Sequence, residues 1–435
     1  MSGYLDRFVA EARSRGALVV QPRMGFGAID TMREGLREVA HLGIPVVGTI
    51  TVDSYTRVGD HVSPLERLMA GEELNGYPIV THSPAQTRDM LDGLYGPSFP
   101  IQVRHGTALP QRVIESLVRA GLDATEGGPV SYCLPYSRLP LAQAVEAWAE
   151  GCRFLANETE YGHIESFGGC LLGQLCPPSL LLAMTVLEGR FFLQHGVRHM
   201  SLSYAQGTHG DQDRAALRAL RELARVYLED ATWHVVLYTY MGLFPRTPDG
   251  AGELIGDSAR LARDTGCERL IVKTVSEAWQ IPSVAENVLA LRLAATAPTG
   301  PAEGATALED AFFAEILEEA RCLVDAVVDL DPDVGKAFIR GFECGILDIP
   351  FCLHPDNRGK TTCTIDESGA LVWGHTGNLP FSGRKTQRHV APLGSDKLYR
   401  MLNYVVDRYD NGPSERRIER RFMSRSGEEI NDRRF

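Results

Sequence analysis

Between Thr125 and Tyr136 the chain reads Thr-Glu-Gly-Gly-Pro-Val-Ser-Tyr-Cys-Leu-Pro-Tyr, a carboxylate followed at once by two glycines and a proline. Gly127 and Gly128 admit backbone conformations that other residues avoid, and Pro129 fixes the exit, so Glu126 would stand on a rigid turn. Tyr132 and Tyr136 follow with Pro135 between them, which suits the lining of a loop better than a helix face. An acid beside two phenols can grip a small polar ligand, and the same residues could equally make a solvated loop with packed tyrosines. The ends of the other strands decide between the two.

Arg23 closes Gln21-Pro22-Arg23, Arg57 closes the run from Thr51 through Asp53, and Arg104 lies in Gln102-Val103-Arg104-His105-Gly106-Thr107. Lys273-Thr274 ends another apolar run, with Glu277 a turn later. Any single arginine at a strand end is by default a rim charge. Three at three ends are another matter, because planar guanidinium forks match carboxylates in bidentate fashion and together could hold a substrate with two of them. Glu126 would then meet a substrate ammonium or act as a general base. The composite suggests a small acidic amino acid. Lys273 could alternatively form a Schiff base, or simply pair with Glu277.

Positioning those residues needs alternating strands and helices. Strand candidates are Ala17–Pro22, Ile44–Thr51, a weaker Tyr77–His82, Ile101–Arg104, the run before Glu126, Met200–Ala205, His234–Tyr240 and Leu270–Thr274. Helical patterns follow most of them, over about Ile29–His41, Ala85–Leu94, Asp213–Leu228, Glu253–Arg263 and Ala285–Ala295. Eight such alternations predict a (β/α)8 TIM-type barrel over residues 1–296, with its active site at the carboxyl ends of the strands. An open doubly wound sheet is the structural runner-up. Ala297–Ala307, rich in proline and glycine, reads as a linker. A C-terminal mixed α+β extension over 297–435 follows, with a helix at Leu308–Leu330, a hairpin at Thr361–Trp373 and a charged tail beyond Asn411.

Bulk properties exclude other classes. The formal net charge of −12 over 435 residues argues against a nucleic-acid partner. Nine cysteines occur singly, without a Cys-x-x-Cys pair, so neither a zinc ribbon nor a disulfide framework is indicated and a reducing cytoplasm fits best. Asp6 and Glu11 near the start are unlike a signal peptide. The apolar region Cys170–Leu193 is interrupted by Gln174, Pro177, Pro178, Glu188 and Arg190, which makes it a buried loop and helix and not a membrane span. Gly25-Phe26-Gly27 begins like a dinucleotide fingerprint, but Asp30 stands at the third glycine position. His195 and His199 have i,i+4 spacing, yet Gly196 and a strand start lie between them, and no metal ligands are assigned.

Taken in order, these stretches resemble the large (epsilon) subunit family of glutamate mutase, also called methylaspartate mutase. The matching pieces include Gln21-Pro22-Arg23 with Gly25, Asp53 to Arg57, Asn75-Gly76-Tyr77-Pro78, Arg104-His105-Gly106-Thr107 and Glu126-Gly127-Gly128. They continue through Pro177-Pro178-Ser179, Met241-Gly242, Val272-Lys273-Thr274, Glu277-Ala278 and Asp348-Ile349-Pro350-Phe351.

The resemblance implies an adenosylcobalamin-dependent carbon-skeleton isomerase built on a βα barrel, interconverting glutamate and 3-methylaspartate or acting on a glutamate-like relative. It implies an arginine claw of Arg23, Arg57 and Arg104, with Glu126 beside the substrate amino group and Gln102, Tyr132 and Tyr136 nearby. On the cofactor side it implies Gly25, Thr51, Asn75, His105, Glu165, Phe167, Met241, Lys273 and Glu277. Cobalamin modules of this class carry Asp-x-His-x-x-Gly, which is absent here. The expectation is therefore a separate small cobalamin-binding subunit capping the mouth, in a heterotetramer containing a homodimer of this chain. Departures from the family pattern are Met24, Pro129, Tyr238-Thr239-Tyr240 in place of His-Gln-Trp, and Val275-Ser276 in place of Pro-His. A Schiff-base aldolase using Lys273 and a non-catalytic scaffold for a cobalamin protein are the competing readings.

Overall fold

The computed structural model describes residues 3–172, 175–298, 304–381 and 394–412. Eight parallel strands form one sheet: β1 (Val19–Pro22), β2 (Gly48–Thr51), β3 (Ile101–Arg104), β4 (Ala124–Gly127), β5 (His163–Ser166), β6 (His199–Ala205), β7 (Thr232–Tyr238) and β8 (Arg269–Val272). From β2 to β8 each strand pairs with its neighbour in sequence, and β1 pairs with β8 from Val19↔Arg269 onward. The remaining seam, between β1 and the approach to β2, is bridged at Val20↔Val46. The sheet thus rolls into the expected (β/α)8 barrel.

Two strand assignments change. Tyr77–His82 is not a strand: the Tyr77 N–H reaches the Thr51 carbonyl at 2.8 Å, but Thr81 and His82 N–H groups then fold back onto the Pro78 carbonyl at 2.9 Å. Pro78 has no N–H to continue a ladder, so the segment turns. The strand that replaces it in the count is β5, in a stretch whose sequence, His-Ile-Glu-Ser, lacks an apolar run because His163 and Glu165 are buried in a polar barrel interior. Glu126 also lies within β4 and not just after it.

The outer helices follow from their patterning. Helix Ile29–Ala40 buries Met32, Leu36 and Val39 along one stripe, as its 3.6-residue spacing requires. Helix Pro178–Gln194 is buried nearly all round, because helix Ala307–Val328 from the C-terminal segment packs over it and over helix Gly210–Tyr227. Each large apolar side chain buried there contributes roughly 1.5–3 kcal/mol. The expected hairpin is present as β9 (Thr361–Ile365) and β10 (Leu371–Thr376), paired antiparallel. Its Trp373 indole donates to Glu319 Oε2 at 3.1 Å, tying the hairpin to helix Ala307–Val328. Residues 299–303 of the expected linker and the charged tail from 413 onward lie outside the described residues. At the opposite pole of the barrel, helix Tyr4–Ser14 covers the strand starts and directs Asp6 inward. No described helix is long and apolar enough to cross a membrane.

Candidate active site

β3 and β4 carry the centre. Arg104 Nε donates to Glu126 Oε2 at 2.7 Å, and both side chains are almost completely enclosed. Burial opposes the charge on Arg104, yet Glu126 beside it, with Tyr238 and Tyr132, keeps its pKa well above the usual value. The other Glu126 oxygen accepts from the Tyr132 hydroxyl. Burial, then the neighbouring carboxylate, raises the Tyr132 phenol well above its ordinary range. Phe167 packs its ring against both Tyr132 and Tyr238, at 5.1 and 5.6 Å between centroids.

The turn that presents Tyr132 is held from below by Glu188. Its carboxyl accepts from the Ser131 N–H at 2.9 Å and from the hydroxyls of Ser131 and Ser166 at 3.1 and 2.9 Å. A Cβ at residue 128 would fall 2.1 Å from that carboxyl, so Gly128 is required by close approach. Burial, only partly offset by these donors, pushes Glu188 up to about 7.

Arg57 is placed by a one-turn helix, Ser54–Arg57, whose N-terminus Asp53 caps by accepting from the N–H groups of Tyr55 and Thr56. Its Nε donates to the Val52 carbonyl at 3.0 Å, leaving the end of the guanidinium exposed at the open mouth. Enclosure by the surrounding loops lowers its pKa; Tyr132 counters this, while the like charges of Arg104 and Arg23 lower it further. Those couplings bring the three arginines into one electrostatic neighbourhood. Arg23, after β1, donates to Glu277 at 2.7 Å, and Lys273 stands 3.6 Å from the same carboxylate. Lys273 is buried over the Phe244 ring, and that burial, with Arg23 adding to it and Glu277 opposing, brings its pKa down to about 8.

Below this level the barrel axis is polar. Glu165 is paired with Arg269 and accepts from Gln102 at 3.2 Å and Ser201 at 3.0 Å. Tyr238 joins the two levels, donating to Glu126 Oε2 at 2.8 Å and touching Glu165 with the same hydroxyl.

Not every expected residue faces the mouth. Gln102 and Glu165 lie one layer down, as supports for the centre. His105 is wholly buried, stacked on Trp148 and edge-on to Tyr132, with its pKa brought down to about 3 by burial and then by Arg57. It therefore backs the phenol and faces away from the open cavity. Gly25 abuts the Thr51 carbonyl, where a Cβ would come within 2.2 Å, so both hold the rim closed through their backbones. Asn75 is exposed beside them, joined to Phe26 by a bridge, and Met241 is half-buried after β7. Tyr136 stands 54% exposed at the entrance. A cavity of ≈ 1030 Å³ opens there, lined among others by Arg57, Tyr132 and Tyr136.

The comparison that decides the family spans nearly the whole chain: residues 2–397 match the family described as methylaspartate mutase E chain (MutE). The chain belongs to that family. Its curated relatives agree. The glutamate mutase epsilon subunit of Desulfitobacterium hafniense (strain Y51) is 31% identical over 413 residues, covering 89% of this chain and 84% of the relative. That of Halobacterium salinarum (strain ATCC 700922 / JCM 11081 / NRC-1) is 33% identical over 378 residues, covering 84% and 79%. That of Escherichia coli O157:H7 is 30% identical over 419 residues, covering 92% and 83%. As a MutE protein the chain is an isomerase of the mutase class.

In the sequence Tyr238 stands out only as a departure from the MutE pattern and Glu188 only as a break in an apolar region, while Arg269 and Ser201 carry no such mark. The signal available was a polar residue at an inward position of a buried strand. Ser201 and Arg269 satisfy that description on β6 and β8.

Proposed function

We propose that this chain is the substrate-binding, catalytic subunit of an adenosylcobalamin-dependent carbon-skeleton mutase acting on glutamate or a glutamate-like amino acid. The observation that carries the reading is the gathering of Arg23, Arg57 and Arg104 around Glu126 at one barrel mouth, in a member of the MutE family. The buried Arg104–Glu126 pair is a template for a zwitterion. A substrate carboxylate takes Arg104 while its ammonium takes Glu126, and the second carboxylate goes to Arg57 and Arg23. Anchoring both ends keeps a migrating fragment in place, and the enclosed walls exclude water. Glu126 is placed to accept a proton from the ammonium in part, with Tyr132 and Tyr238 fixing its orientation.

Removing hydrogen from an unactivated carbon is beyond any side-chain base, and adenosylcobalamin, when bound, supplies that radical chemistry. The cofactor side of the mouth fits such a group. Arg23 Nε, Thr51 Oγ1 and Thr274 Oγ1 are buried there without partners, and a cavity of ≈ 500 Å³ is lined by Gly242, Lys273 and Glu277. Lys273 and Glu277 would hold ribose hydroxyls, with Asn75 and Met241 beside them. Trp279, Ile281, Leu243, Val58 and Met69 are exposed apolar residues in the segments that follow β2, β7 and β8, and exposed apolar groups there suit contact with a separate small cobalamin-binding subunit. The assembly in this reading is a cytoplasmic heterotetramer, with residues 1–296 as the catalytic barrel and 297–435 as its extension.

The test is reconstitution. The chain is combined with a small cobalamin-binding subunit of a MutE-type system and adenosylcobalamin, and glutamate and its analogues are screened for branched isomers by mass spectrometry. A branched product with a cob(II)alamin signal supports the reading, whereas neither with any acidic amino acid overturns it. A second reading, a Schiff-base lyase, is favoured by one observation only, the lowered pKa of Lys273. Borohydride trapping of substrate on Lys273 without cobalamin would establish it.

A further inference from the structure

At the pole opposite the mouth, three histidines surround one carboxylate. Helix Tyr4–Ser14 brings Asp6 Oδ1 to 3.0 Å from His163 Nδ1 and 4.0 Å from His234 Nδ1, while Asp6 Oδ2 lies 2.9 Å from His199 Nδ1. Single ligand atoms of Asp6, His163 and His234 all fall within 4.8 Å of one another, and all three residues are buried. Around a tetrahedral ion with ligands at about 2.0–2.1 Å, ligand atoms are roughly 3.3–3.4 Å apart. The two spacings about Asp6 Oδ1 bracket that value.

A second observation concerns the other carboxylate oxygen. Asp6 Oδ2 and His199 Nδ1 stand 2.9 Å apart, and neither atom has a partner beyond the other. A carboxylate enclosed among imidazoles is an arrangement a cation relieves. The surrounding charges point the same way. Arg269 is matched by Glu165, and Glu268 by Arg221 and Arg13. Asp6 is left facing imidazoles alone. A cation would balance its charge.

We propose that Asp6, His163 and His234 bind a divalent metal ion, with His199 next in line for the fourth position. Imidazole and carboxylate donors in an enclosed setting favour Zn²⁺ among common ions. His163 already has its far nitrogen, Nε2, held by Ser201 Oγ at 3.0 Å, the outer support that ligating histidines have. His234 Nε2 accepts from Arg269 Nε at 3.3 Å; ligation through Nδ1 moves the ring proton to Nε2 and ends that contact, while Arg269 keeps Glu165, Gln102 and Ser201. The ion would staple the N-terminal helix to β5 and β7 and so close the pole.

The experiment does not require mutase activity, so it fails or succeeds apart from the proposed function. Full-length chain, freed of any affinity tag, is loaded with Zn²⁺, dialysed against metal-free buffer and analysed by inductively coupled plasma mass spectrometry. The expected result is about one zinc per chain, lost in Asp6→Asn and in His163→Asn and kept in His195→Asn, which lies outside the cluster. Should those variants fail to fold, Co²⁺ loaded into the unaltered chain reports the site by the visible absorption of tetrahedral cobalt. A chain that retains neither ion overturns the proposal. So does zinc retained equally by Asp6→Asn and His163→Asn, which would mark surface binding.

Discussion

Tyr238 and Glu126 meet across the barrel axis, the phenol of β7 donating to the carboxylate of β4 at 2.8 Å. The same hydroxyl touches Glu165, so a single phenolic proton lies between two buried carboxyl groups. Burial, with those carboxylates adding to it and Arg104 opposing, holds the phenol far above its ordinary pKa. Its proton therefore stays in place through the physiological range.

Replacing Tyr238 by Phe leaves both carboxyl groups without that donor. The expected loss of stability is ~1–3 kcal/mol, read from the urea midpoint at constant slope. In the reconstituted enzyme kcat falls more than the affinity for substrate, because Glu126 loses its orientation and not its charge.

Glu126→Gln keeps the shape and removes the carboxylate proposed as the base. Turnover is expected to drop ~10²–10⁴-fold, while the glutamate dissociation constant, measured by calorimetry, changes roughly tenfold or less. A loss of binding as large as the loss of turnover would reject the proton-accepting role.

The arginines should separate by depth. Arg57→Ala, at the exposed mouth, weakens glutamate binding by about 1.5–3 kcal/mol with stability changed by ~0.5 kcal/mol or less. Arg104→Ala strands Glu126 in a buried site and costs ~3–5 kcal/mol of folding stability. Parallel denaturation and binding curves on the two variants check the contrast.

Glu188 supplies a pH test. Its folded pKa, about 7, lies above the ~4.3 of an unfolded chain, so folding favours the protonated acid. The stabilisation is full below about pH 4 and is lost as pH rises through 7. Glu188→Gln imitates the neutral acid. It should flatten the decline in urea-unfolding free energy between pH 5 and pH 8, by on the order of a few kcal/mol relative to the parent chain.

The barrel was legible in sequence wherever strands were apolar, as at Ile101–Arg104 and Leu270–Val272, and the arginines were legible because they follow such strands. β5 was not, since its inward residues, His163 and Glu165, serve a polar axis that no hydrophobic pattern announces. Tyr77–His82 misled for the converse reason: β-branched and aromatic residues there pack as a turn whose only ladder contact is Tyr77 to Thr51. His105 was legible as a motif residue, but nothing in its neighbours told that Trp148, far along the chain, would stack on it.

From Asp6 through His163, Ser201, Glu165 and Tyr238 to Glu126, each contact is a hydrogen bond, and the series runs from one end of the barrel to the other. Apolar packing would damp a displacement over such a distance, but a column of polar links passes it on as a change of potential. Altering the first helix of this chain is thus an electrical intervention at Glu126 as much as a change of shape.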